Sequence, residues 1–215
     1  MLGIIKKDFY DTFCIPKNLL SNICGYALLP VSMLVLGSNE WAMMLFLIVC
    51  IPASSIAVLQ AAMAQDEKVR FDDIMLTYPL SKRKIVLARF IDNLLFIAIN
   101  AFISLILMLG YVYGYRTVGF QTGVLYWTVG LVVSLFMTAI FSVGFYLLGN
   151  KKGTILYFVL VGVGAGLYGM ARFLPIEKIL DMDQWTLIGI GFVNSVIVLF
   201  VSYWACLKLY TRRHS

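Results

Sequence analysis

Splitting the 215-residue chain at every Lys, Arg, Asp and Glu leaves six long windows without charge: 18–39, 41–65, 93–115, 117–150, 153–171 and 184–207. A helix that crosses the hydrocarbon core of a bilayer needs about 20 mostly apolar residues. Each window holds one such span. The longest, 117–150, is too short for two spans and a turn, which would take more than about 40 residues. It reads as one helix with the polar flank GFQTG at 119–123. Only 13% of the residues are charged, against roughly 25% in a soluble domain, so lipid is the natural solvent for this chain.

The expected fold is therefore an all-α polytopic membrane protein, one domain over 1–215. Its spans fall at about 18–38, 41–63, 86–112, 121–148, 154–172 and 185–207. An even number of spans puts both termini on one side. If that side is the cytoplasm, the inner segments hold fourteen of the Lys and Arg residues and the outer ones hold three, Arg116, Arg172 and Lys178. The positive-inside rule then fixes the orientation. Trp41, Trp127 and Trp185, with Tyr111, Tyr113 and Tyr115, fall near outer span ends, where an aromatic belt would lie.

The first segment, 1–16, places Leu2, Ile5, Phe9 and Phe13 on one helical stripe, with Lys6, Lys7 and Asp11 mostly off it. This predicts an amphipathic helix lying in the inner interface, ended by Pro16. No small-x-small cleavage site marks a signal peptide. Cys14, Cys24, Cys50 and Cys206 are scattered through apolar runs, without metal or disulfide spacing.

Catalytic chemistry is hard to place. The single histidine, His214, is in the tail, which removes His-based metal sites and a Ser–His dyad from the membrane. No pair of carboxylates lies within a span, and no metal site or catalytic residue is predicted. GNKKGT at 149–154 lacks the spacing of a phosphate loop. GVGAGLYG at 162–169 is no dinucleotide fingerprint; Gly162 and Gly166 form G-x-x-x-G, which lets membrane helices approach closely. Gly189 and Gly191 offer a similar pair. Pro30 and Pro52 should kink their spans. Asp92 is the one acid near a span, three residues after Arg89, and an intramembrane Arg89–Asp92 pair on one helix face accounts for it.

The densest charge lies between the second and third spans, in KVRFDDIMLTYPLSKRKIVLARF at 68–90. Phe71, Ile74, Met75 and Tyr78 recur at i, i+3, i+4, i+7, one face of a short helix. Asp66 and Arg70, four apart, would support its first turn. Pro79 ends it, and Ser81 is placed to cap the next helix. An amphipathic helix in the cytoplasmic loop 64–84, tied tightly to two spans, can pass motion into both.

The stretch LTYPLSKRKIVLARF, read with six spans and an N-terminal amphipathic helix, resembles the membrane subunit of ABC-2 type exporters. Leu76, Pro79, Leu80, Ser81, Lys82, Ile85 and Arg89 match that family's loop pattern. The short chain is similar to the small bacterial peptide-exporter branch, including the permeases for phenol-soluble modulins. The resemblance implies that the loop is a coupling helix seated in a separate cytoplasmic ABC ATPase. Arg70, Phe71, Asp72, Asp73, Ile74, Met75, Tyr78, Pro79 and Leu80 would be the ATPase-coupling residues. It implies a dimer, with a second copy or a paralogue, with Gly162 and Gly166 at or near the seam. It also implies a bacterial cytoplasmic membrane, ATP and Mg held only by the partner, and an amphipathic or hydrophobic peptide as cargo. No nucleic-acid partner is implied. The alternative is a self-contained protein: a proton-coupled secondary transporter working through Asp92, or a non-transporting scaffold.

Overall fold

The computed structural model describes residues 2–69, 71–77, 80–171 and 183–213. All regular structure among them is helical. In chain order the helices are α1 (Leu2–Phe13), α2 (Pro16–Leu36), α3 (Glu40–Leu45), α4 (Ile51–Val69), α5 (Phe71–Thr77), α6 (Lys82–Leu109), α7 (Phe120–Ala171) and α8 (Gln184–Arg213). One π-helical turn, Phe46–Cys50, joins α3 to α4, and another, Gly110–Gly114, extends α6.

Four stretches are long and apolar enough to cross a membrane: Glu40–Glu67, Lys82–Gly114, Phe120–Gly149 and Gln184–Arg212. The outward faces agree with this. Phe102, Phe158, Phe200 and Trp204 are each more than 60% exposed, which is tolerable only where the surrounding solvent is apolar. The protein is thus an all-α, multi-pass membrane protein. The 21-residue α2 and the second half of α7, 150–171, are helical as well.

Local chemistry sets the breaks. Pro16 occupies the first turn of α2, where its missing N–H costs nothing. Gly37 closes α2 with φ +59°. Asn39 caps α3, its side-chain oxygen accepting from the backbone N–H of Trp41 at 3.0 Å. α2 runs helically through Pro30. Pro52 instead follows directly on the π turn of 46–50. A proline ring crowds the carbonyl four residues back, and a widened turn there relieves that crowding.

Within α7, Gly149 is non-helical, with φ +75° and ψ 174°. Only glycine takes that backbone cheaply. The chain folds back on itself there. Phe141 meets Tyr157 with ring centroids 5.5 Å apart, and Gly153 packs on the Phe145 ring. α7 thus consists of a stretch up to Gly149, near the end of the long window, and a second helix beginning at once.

Three apolar clusters hold the bundle. One lies around Met43, Leu47, Met108 and Tyr111. A second lies around Ile56, Phe141, Phe145 and Tyr157. The third gathers Ile4, Met75, Ile85, Val86, Ala88, Phe90, Cys206, Leu207 and Tyr210. The aromatic belt is thinner than expected. Tyr111 is buried, and Trp127 turns inward, its indole N–H donating to Ser104 Oγ at 3.0 Å and to the Ala101 carbonyl at 3.2 Å. Both find apolar neighbours inside the bundle, which outweigh the interface.

Candidate functional site

The third cluster and the charges beside it gather at the α5 end of the bundle. Arg89, in the second turn of α6, is 6% exposed. One guanidinium nitrogen donates to Asp8 of α1 and the other to Asp66 at the end of α4. A planar fork that serves two carboxylates at once suits Arg and no other cation. Lys7 completes the lattice. Its ammonium pairs with Asp66, lies 3.3 Å from Asp8 and 3.0 Å from Asp11, and sits 4.3 Å over the Phe71 ring of α5. Two cations thereby tie α1, α4, α5 and α6 together. Buried charges are tolerated when paired in this way, and each becomes costly when its partner is removed.

This corrects the Arg89–Asp92 pair. Both residues are buried, but Arg89 spends its guanidinium on Asp8 and Asp66, which reach both ends of the fork from different helices. Asp92 is left with its carboxyl beside that of Asp8 and with one buried oxygen, Oδ1, unpartnered. Asp66 pairs with Lys7 and Arg89; Arg70, its expected helix-support partner, lies outside the described residues. The α1 surface differs too. Its buried residues are Ile4 and Asp8, while Leu2 is 73% exposed. The helix docks on protein through Ile4 and the lattice, and Phe9 stacks on Phe96 of α6 at 4.9 Å. Asp8, beside the Leu2, Ile5, Phe9 and Phe13 stripe, is a contact that holds the helix.

α5 joins this assembly by one edge. Met75 is 1% exposed and lies in the apolar cluster, with Phe71 and Leu80 packed against it. Ile74 is 44% exposed. The predicted stripe therefore divides: Phe71 and Met75 anchor the helix to the bundle, and Ile74 faces away. Arg70, Tyr78 and Pro79, with the side chains of Asp72 and Asp73, lie outside the described residues. Ser81 takes the N-cap position of α6, but its side chain makes no capping hydrogen bond; its carbonyl receives Lys84 N–H at 2.8 Å. The same apolar cluster includes Cys206, Leu207 and Tyr210 near the end of α8, so α5 and the last helix share one core. A cavity of about 110 Å³ beneath α5 is lined by Asp66, Met75, Arg89 and Tyr210 among others, leaving room for these side chains to shift.

Gly162 and Gly166 are exposed, and a Cβ at either would meet nothing within 4 Å. They seat no helix of their own chain among the described residues. Gly191 lies against α7, its would-be Cβ 3.3 Å from Val132, while Gly189 is open. Gly130 makes the closest approach among the described glycines: a Cβ there would overlap the Leu47 carbonyl oxygen. Among the described residues no group of His, Cys, Asp and Glu is placed to hold a metal ion.

The model of a protein family described as "ABC-2 family transporter protein" matches residues 3–211. No curated protein and no solved structure matches the chain.

Proposed function

The chain belongs to the ABC-2 family of transporter proteins, and from that premise we propose that it is the non-catalytic permease half of an ATP-driven exporter, with α5 as the element that a partner ATPase grips. The observation that carries this reading is the division of α5. Met75 and Phe71 are fixed in the bundle while Ile74 is presented outward, within a connection of a few residues between two spans. A helix held on one side and free on the other transmits a push. The push would pass through Met75 into α6 and α8, and through Phe71 and Lys7 into α1 and α4. Six spans, both termini in the cytoplasm and the lattice at the cytoplasmic face complete the arrangement.

The working unit is a pair of permeases above two ATPase subunits, which hold the ATP and Mg. Gly162 and Gly166, open to their surroundings, supply a surface on which a second copy or a paralogue could close. Closure of the ATPases would tilt the spans that flank α5 and change the path at the seam. The walls of the bundle are apolar and aromatic with few charges, which suits an amphipathic or hydrophobic peptide as cargo in a bacterial cytoplasmic membrane.

The test is purification of the tagged protein in mild detergent from its host, with mass spectrometry of what accompanies it. A near-stoichiometric ATPase with Walker motifs should copurify. It should be lost on Ile74→Asp, together with transport, while membrane insertion persists. An Ile74→Asp protein that retains both ATPase and transport would remove α5 from the coupling role. A second reading is favoured by one observation, the unpartnered buried oxygen of Asp92: a proton-coupled carrier. It requires that Asp92→Asn abolish transport and that transport follow the proton gradient without ATP.

A further inference from the structure

A cleft of about 210 Å³, lined by both polar and apolar side chains, lies between α2 and α4, beside the charge lattice. Asn18, Asn22 and Tyr26 line it from α2, at successive helical turns. Ser54, Ala57, Ala61 and Gln65 line it from α4, and Asp11 closes one end. Polar side chains along a membrane helix are costly and usually have a reason.

Part of that reason is structural. The amide nitrogens of Asn18 and Asn22 donate to the Asp11 and Thr12 carbonyls, at 2.8 and 3.0 Å. These carbonyls lie at the end of α1, where they lack helical donors. Tyr26 O–H donates to Asn100 Oδ1 at 2.9 Å. Donors are accounted for; acceptors are not. Because both Asn nitrogens must face carbonyls, both Oδ1 atoms are left for something else. Among the described residues neither Oδ1 has a hydrogen bond. The adjoining lattice is also short of cations: Lys7 and Arg89 face the carboxyl groups of Asp8, Asp11 and Asp66. Ala57, Ala61 and Ala62 of α4 supply the apolar side of the lining.

We propose that this cleft binds the ammonium head of an amphiphile, with the Asn18, Asn22 and Asp11 oxygens accepting its N–H groups and its hydrocarbon part lying along Ala57 and Ala61. An ammonium offers three donors and one positive charge, which is what the lining lacks. Ala57 and Ala61 are small enough to leave the space open. Two sources share this chemistry: an amine-headed phospholipid of the adjacent leaflet, and a lysine or N-terminus of an amphipathic peptide. Only the second makes the cleft a cargo site, and that part rests on the exporter reading; binding itself does not.

The test uses the full chain in nanodiscs of phosphatidylglycerol, without ATPase, so its failure is separate from failure of the exporter reading. A photoreactive dodecylamine is compared with the photoreactive dodecanol of the same chain length, and labelled peptides are mapped. The amine should label segments 11–26 and 54–65 saturably, at roughly tenfold or more over the alcohol, the ratio expected for a charge-assisted contact. Asn22→Leu should remove that excess. Ala57→Leu, which fills the cleft and leaves the polar groups in place, should do the same if the first variant folds poorly. Equal labelling by amine and alcohol, or labelling unmoved by Ala57→Leu, overturns the site. Loss of label when phosphatidylethanolamine is added to the discs assigns the cleft to a lipid headgroup. Loss on adding a lysine-bearing amphipathic peptide assigns it to cargo. Label that neither competes down is nonspecific and also overturns the site.

Discussion

α8 and α2 are both long apolar helices, yet the bundle holds them in different ways. α8 is stitched along α7. Ser195 Oγ donates to the Val132 carbonyl at 3.3 Å and Ser202 Oγ to the Ala139 carbonyl at 2.6 Å. Gly191 lets the two backbones close between them. α2 is moored at separate points: Asn18 and Asn22 to the end of α1, Tyr26 to Asn100, and Met33 against Gly110. Between those points lies the mixed cleft. Small residues and repeated hydroxyl–carbonyl bonds make a seam that moves as one body. A few long-range ties make a helix that can swing when one tie changes. The first arrangement suits a wall, the second a gate, and α1 links the gate to the charge lattice.

The largest blow to the close-packed side should come from Gly130→Leu, which drives a side chain into the Leu47 carbonyl. We expect loss of the folded protein, a destabilisation of about 3 kcal/mol or more, read as loss of the monodisperse peak in size-exclusion chromatography. Arg89→Met strikes the other side. It leaves Asp8 and Asp66 buried without their guanidinium, at a cost of about 3–5 kcal/mol. Hydrogen exchange should rise first in α1 and α2 and least in α8; a uniform rise would dissolve the contrast between the two helices. Ser202→Ala removes one stitch of the seam. It should lower the detergent melting temperature slightly, by an amount corresponding to about 0.6 kcal/mol. Tyr26→Phe should be the mildest, about 0.5 kcal/mol. It sharpens the comparison if exchange increases in α2 alone while the melting temperature holds.

Much of this molecule is legible in its residues, and the illegible part has a common cause. Long uncharged windows dictate helices in lipid whatever their neighbours, so the all-α, multi-pass character follows directly. The amphipathic period at Phe71, Ile74 and Met75 also reports a real helix. It does not report which edge is inside, because the stripe is shared between Met75, which is buried, and Ile74, which is not. The ion pairs are least legible. Arg89 and Asp92 are near in sequence and their pairing is easily guessed; Asp8, 81 residues away, wins by geometry that only tertiary packing creates. The one available signal was Asp8 itself, an acid four residues after Ile4 on what becomes the docked face of α1. Gly130 gave no warning at all, since a single glycine in a span carries no mark of the backbone pressed against it.

The single-residue reversal at Gly149 has a consequence for how the protein is made. The helix before it and the helix after it share no slack, and Phe141, Phe145, Gly153 and Tyr157 already face one another across the break. Docked through these side chains, the two helices bury apolar surface between them as soon as the turn forms. They should therefore form as one hairpin, in a single cooperative step. A spacer of several residues introduced after Gly149 would loosen that pairing and let the second helix protect its amides later than the first.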